Sequence, residues 1–137
     1  QVYGIDFSHS AIKKTKDRLA ESGLDARLYV RDMSDLPLDD SSVDAVIDST
    51  SIQHVPEAEI PKVFEEIFRV LKPHGRFFGM MMTGIGLGET QFQTHLFSKS
   101  ELQSALRRFS SVQFDHLEFS DCGGKHITKY WLVEAVR

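Results

Sequence analysis

Short β-prone runs alternate along this chain with longer stretches of helical periodicity, and that alternation restricts the fold more than any other feature. Val2-Tyr3-Gly4-Ile5 is an apolar run that ends at Asp6. Ser8 or Ser10 is placed to cap a helix in which Ile12, Thr15 or Lys16, and Leu19 recur at helical spacing, and Gly23 supplies its stop. Ala26 to Val30 reads as a second strand, Asp35 to Ser42 with Pro37 as a loop, and Val43 to Asp48 as a buried third strand. An amphipathic helix follows over Glu59 to Leu71, with Val63, Phe64, Ile67, Phe68 and Leu71 on one face. Pro61 is tolerable only in its first turn, and Lys72-Pro73-His74-Gly75 ends it. Arg76 to Thr83 forms a fourth strand and Gly84 to Thr94 a glycine-rich loop. A third helix follows Phe97-Ser98 and Ser100, with Leu102, Ala105, Leu106 and Phe109 inward. Two strands, about Val112 to Phe119 and Thr128 to Val136, close the chain around a Cys122-Gly123-Gly124 turn. The order predicts a single α/β domain over residues 1–137. Its open sheet is mostly parallel, with an antiparallel C-terminal strand pair.

Bulk properties exclude several classes. With 41% hydrophobic and 26% charged residues in 137, the chain has apolar material for one core. Its net charge of −4 gives no general attraction to phosphate backbones, so no nucleic-acid partner is expected. The short basic clusters (Lys13, Lys14, Lys16, Arg18; Arg107, Arg108) read as solvated helix faces. The lone Cys122 cannot form an internal disulfide, which favours a reducing, cytoplasmic setting. No apolar run approaches the roughly 20 residues of a membrane span, so no membrane partner is expected. The histidine spacing matches no zinc motif, and no metal is expected. His9, His116 and His126 read as surface residues, and Met80-Met81-Met82 as strand core. The chain lacks an initiator methionine and opens on strand-like sequence, which suggests a start inside a longer protein.

Asp6 is the first residue that points to chemistry. A carboxylate at the carboxyl end of a strand sits where open α/β sheets bind ligands, and it can accept both hydroxyl protons of a ribose. The plainer alternative is that Asp6 caps the next helix. Three further segments bear on the choice. Arg31-Asp32-Met33-Ser34-Asp35-Leu36-Pro37 follows the second strand. Ser42-Val43-Asp44-Ala45-Val46-Ile47-Asp48-Ser49 leads to Ile52-Gln53-His54-Val55. Phe68-Arg69-Val70-Leu71-Lys72-Pro73-His74-Gly75-Arg76-Phe77 closes the second helix.

In this order and spacing the four segments resemble the class I S-adenosylmethionine-dependent methyltransferases, of the methyltransferase type 11 kind. The chain departs from the family pattern in three places: Val43 replaces an aromatic residue, Gln53 the first of a histidine pair, and His74 the first glycine of the leucine-lysine-proline-glycine-glycine turn. The resemblance implies a Rossmann-like sheet, S-adenosylmethionine as cofactor and methyl transfer to a small-molecule acceptor. It implies Asp6 on the ribose, Phe7 against the adenine, Asp32 and Met33 at the adenine edge, and Ser49 with Thr50 near the ribose or methionine portion. His54, just past the third strand of the chain, is the candidate catalytic residue, with a loop hydrogen bond as its structural alternative. His95, just before the last helix, is a weaker candidate facing the pocket from the loop over it, with a structural role as its favoured alternative.

The family's first strand and glycine-rich cofactor turn are expected before Gln1, which makes the chain a partial domain. Gly84-Ile85-Gly86-Leu87-Gly88-Glu89 is no substitute, since it leads promptly into no amphipathic helix. Two bare strand edges would follow, open to pairing with each other or to self-association. The alternative function is therefore a non-catalytic fragment or interaction module of the same fold. A nicotinamide-dependent oxidoreductase would share Asp6 but leaves the Asp32 segment and the Lys72-Pro73 turn unexplained.

Overall fold

In the computed structural model, which describes residues 1–85, 94–120 and 127–137, β1 (Tyr3–Asp6) and β2 (Arg27–Val30) form a two-stranded parallel ladder. Helix α1 (His9–Glu21) connects them and packs against both. Ser8 is its N-cap, with Oγ accepting the Ala11 N–H at 3.3 Å. Gly23 lies just past its C-terminal end at φ +65°, the left-handed conformation that glycine adopts without steric cost. These elements belong to the first of two compact units, Gln1–Asp39. Among its residues only Ser34 is buried.

The second unit, Asp40–Arg137, holds a four-stranded sheet in the order β3-β4-β6-β5. β3 (Val43–Ser49) runs parallel to β4 (Leu71–Ile85). β6 (Ile127–Val136) is antiparallel to both β4 and β5 (Ser111–Ser120), so this sheet is mixed. Strand alternation puts Phe77 and Met81 of β4 on the same face as Val133 and Ala135 of β6, all nearly inaccessible to water. Helices α2 (Ile60–Val70) and α3 (Lys99–Ala105) supply the other half of that core through Val63, Phe64, Ile67, Val70 and Leu102. Phe64 meets Phe77 edge-on with centroids 6.0 Å apart. Each such side chain contributes about 1.5–3 kcal/mol by leaving water.

The predicted element order holds throughout, with three differences. Val43–Asp48 was expected to be buried, but no residue of β3 is, and Ile47 is 77% exposed. Among the described residues β3 pairs on one side only, with β4, so its other edge and its apolar residues are uncovered. Leu71, expected in the helix, turns into an extended conformation and opens β4, where it is fully buried. The register then jumps from Val43 opposite Leu71 to Ala45 opposite Arg76, which makes room for the Lys72–Gly75 turn. Third, β4 continues through Gly84 and Ile85, two residues expected in the loop. The rest of that expected lid, residues 86–93, lies outside the described residues, as do the Cys122-Gly123-Gly124 turn and His126.

His74 explains how the turn works. It sits at φ +65° and donates its N–H to the Arg137 carbonyl at 3.0 Å. A side chain at the following Gly75 would place Cβ 2.8 Å from the Lys72 carbonyl oxygen and 3.1 Å from that of Asp44, too close for any residue but glycine. Lys72 Nζ binds Asp44 Oδ1 at 2.7 Å across the same turn, which holds the Asp44 carboxyl below the usual carboxylate range.

Candidate functional site

The first unit gathers four of the expected site residues at one sheet edge. β1 and β2 are parallel, so their carboxyl ends lie together, joined past the ladder by the Arg31 N–H donating to the Asp6 carbonyl at 3.0 Å. Asp6 ends β1, and its Oδ1 accepts the Ser8 N–H at 2.7 Å. The helix cap is Ser8 rather than Asp6, whose carboxylate instead holds the cap residue's own N–H. One oxygen braces the turn into α1, and among the described residues Oδ2 has no partner. Phe7, next to it, is 76% exposed and offers a bare apolar surface. Asp32 follows β2 and accepts the Ser34 N–H on Oδ1 at 2.8 Å, while Met33 between them is half-buried. An acceptor for a diol, an aromatic face and a second carboxylate on one edge fit the adenosine part of a nucleoside cofactor.

The second unit builds a separate cluster at the carboxyl end of β3. Ser49 is exposed and Thr50 half-buried. Thr50 stands at φ +65°, a conformation rare for a β-branched residue, and donates its N–H to the Met80 carbonyl at 3.2 Å. Asp48 Oδ2 accepts the Ser51 N–H at 3.3 Å, and burial pushes its carboxyl above the usual range. A 3₁₀ turn over Ile52–His54 follows. In it Gln53 is buried, at 2% exposure, whereas His54 is exposed.

Gln53 was not among the expected site residues, yet it organises this edge. β3 stops pairing with β4 at Ser49 opposite Met80, and the Gln53 side chain takes over where the strand leaves off. Its Oε1 accepts the Met82 N–H at 3.1 Å. Its main-chain carbonyl accepts the His95 N–H at 2.8 Å, and the Phe97 N–H donates to the Met82 carbonyl at 2.8 Å. Residues 95–97 are thereby fastened against the carboxyl edge of β3 and β4. His95 Nε2 lies 2.5 Å from Glu101 Oε1 on α3. No sequence motif announces these contacts, which join residues from three elements.

Other features do not add to the site. Among the described residues no group of three or more His, Cys, Asp or Glu is placed to hold a metal ion. Among the described residues no helix is long and apolar enough to cross a membrane. A surface recess beside Phe68 is lined by Arg69, Arg108, Arg137, Glu65 and Glu66. It lies toward the amino end of β3, since Arg69 pairs with Asp40 just before that strand. That is the edge opposite the one where such sheets bind ligands.

Comparison with known proteins identifies the family. Residues 1–75, more than half of the chain, match the methyltransferase domain family. Phosphoethanolamine N-methyltransferase 2 of Caenorhabditis elegans is 30% identical over 115 residues, 81% of this chain and 25% of that protein. Demethylmenaquinone methyltransferase of Clavibacter sepedonicus is 42% identical over 76 residues, 55% of this chain and 29% of that protein. The chain thus spans less than a third of the length of these relatives. Among solved structures, a SAM-dependent methyltransferase of Methanosarcina mazei superposes with a TM-score of 0.77 at 22% identity, covering 98% of this chain and 81% of that one. The fold is that of the S-adenosylmethionine-dependent methyltransferases. Because that family match spans residues 1–75, more than half of the chain, the chain belongs to the methyltransferase domain family.

Proposed function

We propose that the protein carrying this chain transfers a methyl group from S-adenosylmethionine to a small-molecule acceptor. The observation that carries this reading is Asp6, a carboxylate at the end of β1 with one oxygen unpartnered among the described residues and the exposed Phe7 beside it. In this reading Asp6 accepts the ribose hydroxyls and Phe7 covers one adenine face. Asp32 and Met33 meet the adenine edge. Ser49 and Thr50 approach the ribose or methionine portion, and His54 faces the acceptor.

The cofactor supplies an electrophilic methyl carbon. The chain's own residues bind, orient and exclude water, so that the acceptor lone pair is aligned with that carbon. The relatives named above act on phosphoethanolamine and on demethylmenaquinone, two unlike small molecules. Both serve as probe acceptors for this protein.

The test is calorimetric titration of the full-length protein with S-adenosylmethionine. Asp6→Ala removes the charge-assisted bonds to the ribose, each worth about 1.5–3 kcal/mol, so affinity should fall at least tenfold. Asp6→Ala with unchanged affinity refutes the ribose assignment.

A further inference from the structure

We propose that a second histidine, His95, accepts the proton that the methyl acceptor loses, and that Glu101 is the positioning residue that prepares it. The proposal rests on the methyltransferase reading above and extends it to the acceptor side.

Three observations carry it. First, His95 is fixed at the edge where ligands approach. Its N–H is held by the Gln53 carbonyl at 2.8 Å, and Gln53 in turn replaces the missing rung of β3 beside Met82. The His95 side chain is 18% exposed and its ring packs edge-on against the Phe97 ring, centroids 4.6 Å apart. It is therefore confined but still reachable.

Second, one ring nitrogen is committed and the other is not. Nε2 lies 2.5 Å from Glu101 Oε1. A carboxylate only accepts, so in the neutral ring this contact places the proton on Nε2 and leaves Nδ1 with its lone pair. Among the described residues Nδ1 has no partner.

Third, Glu101 stands at a position that normally serves another purpose. Ser98 is the N-cap of α3, and its Oγ accepts the Glu101 N–H at 3.2 Å. A glutamate three residues after such a cap commonly turns back to the N-cap N–H. Here the carboxylate reaches out to His95 instead. A histidine oriented by a carboxylate on one nitrogen and open on the other is the arrangement of a general base.

The proton balance is simple. As the acceptor's nucleophilic atom bonds to the methyl carbon, the carbon–sulfur bond breaks and its electron pair stays on sulfur. The proton shed by the acceptor passes to His95 Nδ1, and the Glu101 carboxylate faces the imidazolium so formed.

The experiment uses the full-length protein labelled with ¹⁵N-histidine. Two-bond proton–nitrogen correlations at neutral pH should show His95 with its proton on Nε2, and Glu101→Gln should abolish that preference. A proton on Nδ1 in the wild type overturns the proposal. Steady-state methyl transfer to the two probe acceptors gives the second readout. His95→Gln should lower kcat about 100-fold, with little change in the acceptor KM. Glu101→Gln should lower kcat in the same sense, and His116→Gln should leave it unchanged. An unchanged kcat in His95→Gln, or a fall matched by lost thermal stability, reduces the pair to a structural tie. Where a wild type that binds S-adenosylmethionine methylates neither probe, the position of the His95 proton alone decides the proposal. Failure of the wild type to bind the cofactor is distinct, and refutes the underlying methyltransferase reading.

Discussion

Replacing Gln53 by leucine tests the architecture of the carboxyl edge. The two side chains are similar in size, so the substitution leaves little cavity and isolates one hydrogen bond. That bond joins Gln53 Oε1 to the Met82 N–H at 3.1 Å, where β3 no longer supplies a ladder partner. Gln53 is 2% exposed, so water cannot readily take its place. A buried N–H left unpaired costs about 1–3 kcal/mol, and Met82 is only half-buried, which favours the lower half of that range. A loss of about 1–2 kcal/mol corresponds to a fall of roughly 3–10 °C in Tm for a chain of this size. In urea the midpoint should drop by about 0.5–1 M with an unchanged slope. Gln53→His restores an acceptor at the same place and should lose less. Hydrogen exchange supplies the local check, since the Met82 amide should lose protection while the Phe77 amide keeps it. A Gln53→Leu protein with wild-type midpoint and a protected Met82 amide would show that the side chain does not complete the ladder.

Two further outcomes follow from the backbone and from burial. His74 stands at φ +65°, where a side chain costs about 1–2 kcal/mol. Glycine also enlarges the unfolded ensemble, so His74→Gly should gain roughly 0.5–1 kcal/mol in chemical denaturation, whereas His74→Ala should gain nothing. The Asp48 carboxyl is raised by burial above its ordinary 3.8, so the folded chain holds that proton more tightly than the unfolded one. Its contribution to stability is complete below that ordinary value and is lost as pH rises through the folded value. Asp48→Asn should therefore flatten the pH dependence of stability across that interval, read from urea midpoints. An unaltered profile refutes the burial argument.

The order of elements was legible because local pattern determines it. Ser8, Gly23 and Pro61 act through the backbone next to them, and they do in the structure what their chemistry requires. The His74-Gly75 pair was legible too, as a departure from two glycines, and the positive φ at His74 shows what that departure costs. The burial of β3 was not legible. Val43, Val46 and Ile47 look the same in a central strand and at the end of a sheet, since only the neighbouring strand decides. The carboxylates Asp6 and Asp32 could be placed from the strand ends alone. The Gln53–His95–Glu101 cluster could not. Its bonds span 42 residues between Gln53 and His95, and the exposure of His54 against the burial of Gln53 depends on how one 3₁₀ turn is rotated.

The scarcity of buried side chains in Gln1–Asp39 has a consequence for how binding and folding are coupled. Taken without the strand that the family resemblance places before Gln1, this segment encloses only Ser34 and has little apolar free energy of its own to hold β1, α1 and β2 in register. In the proposed reading that segment also carries the adenosine-binding residues. A ligand that binds only the ordered form adds stability by mass action, about 2.7 kcal/mol at a hundredfold excess over Kd. The cofactor would then act as part of the segment's core. Its concentration would set how often Asp6 and Asp32 are presented together, so that occupancy and order rise as a single quantity.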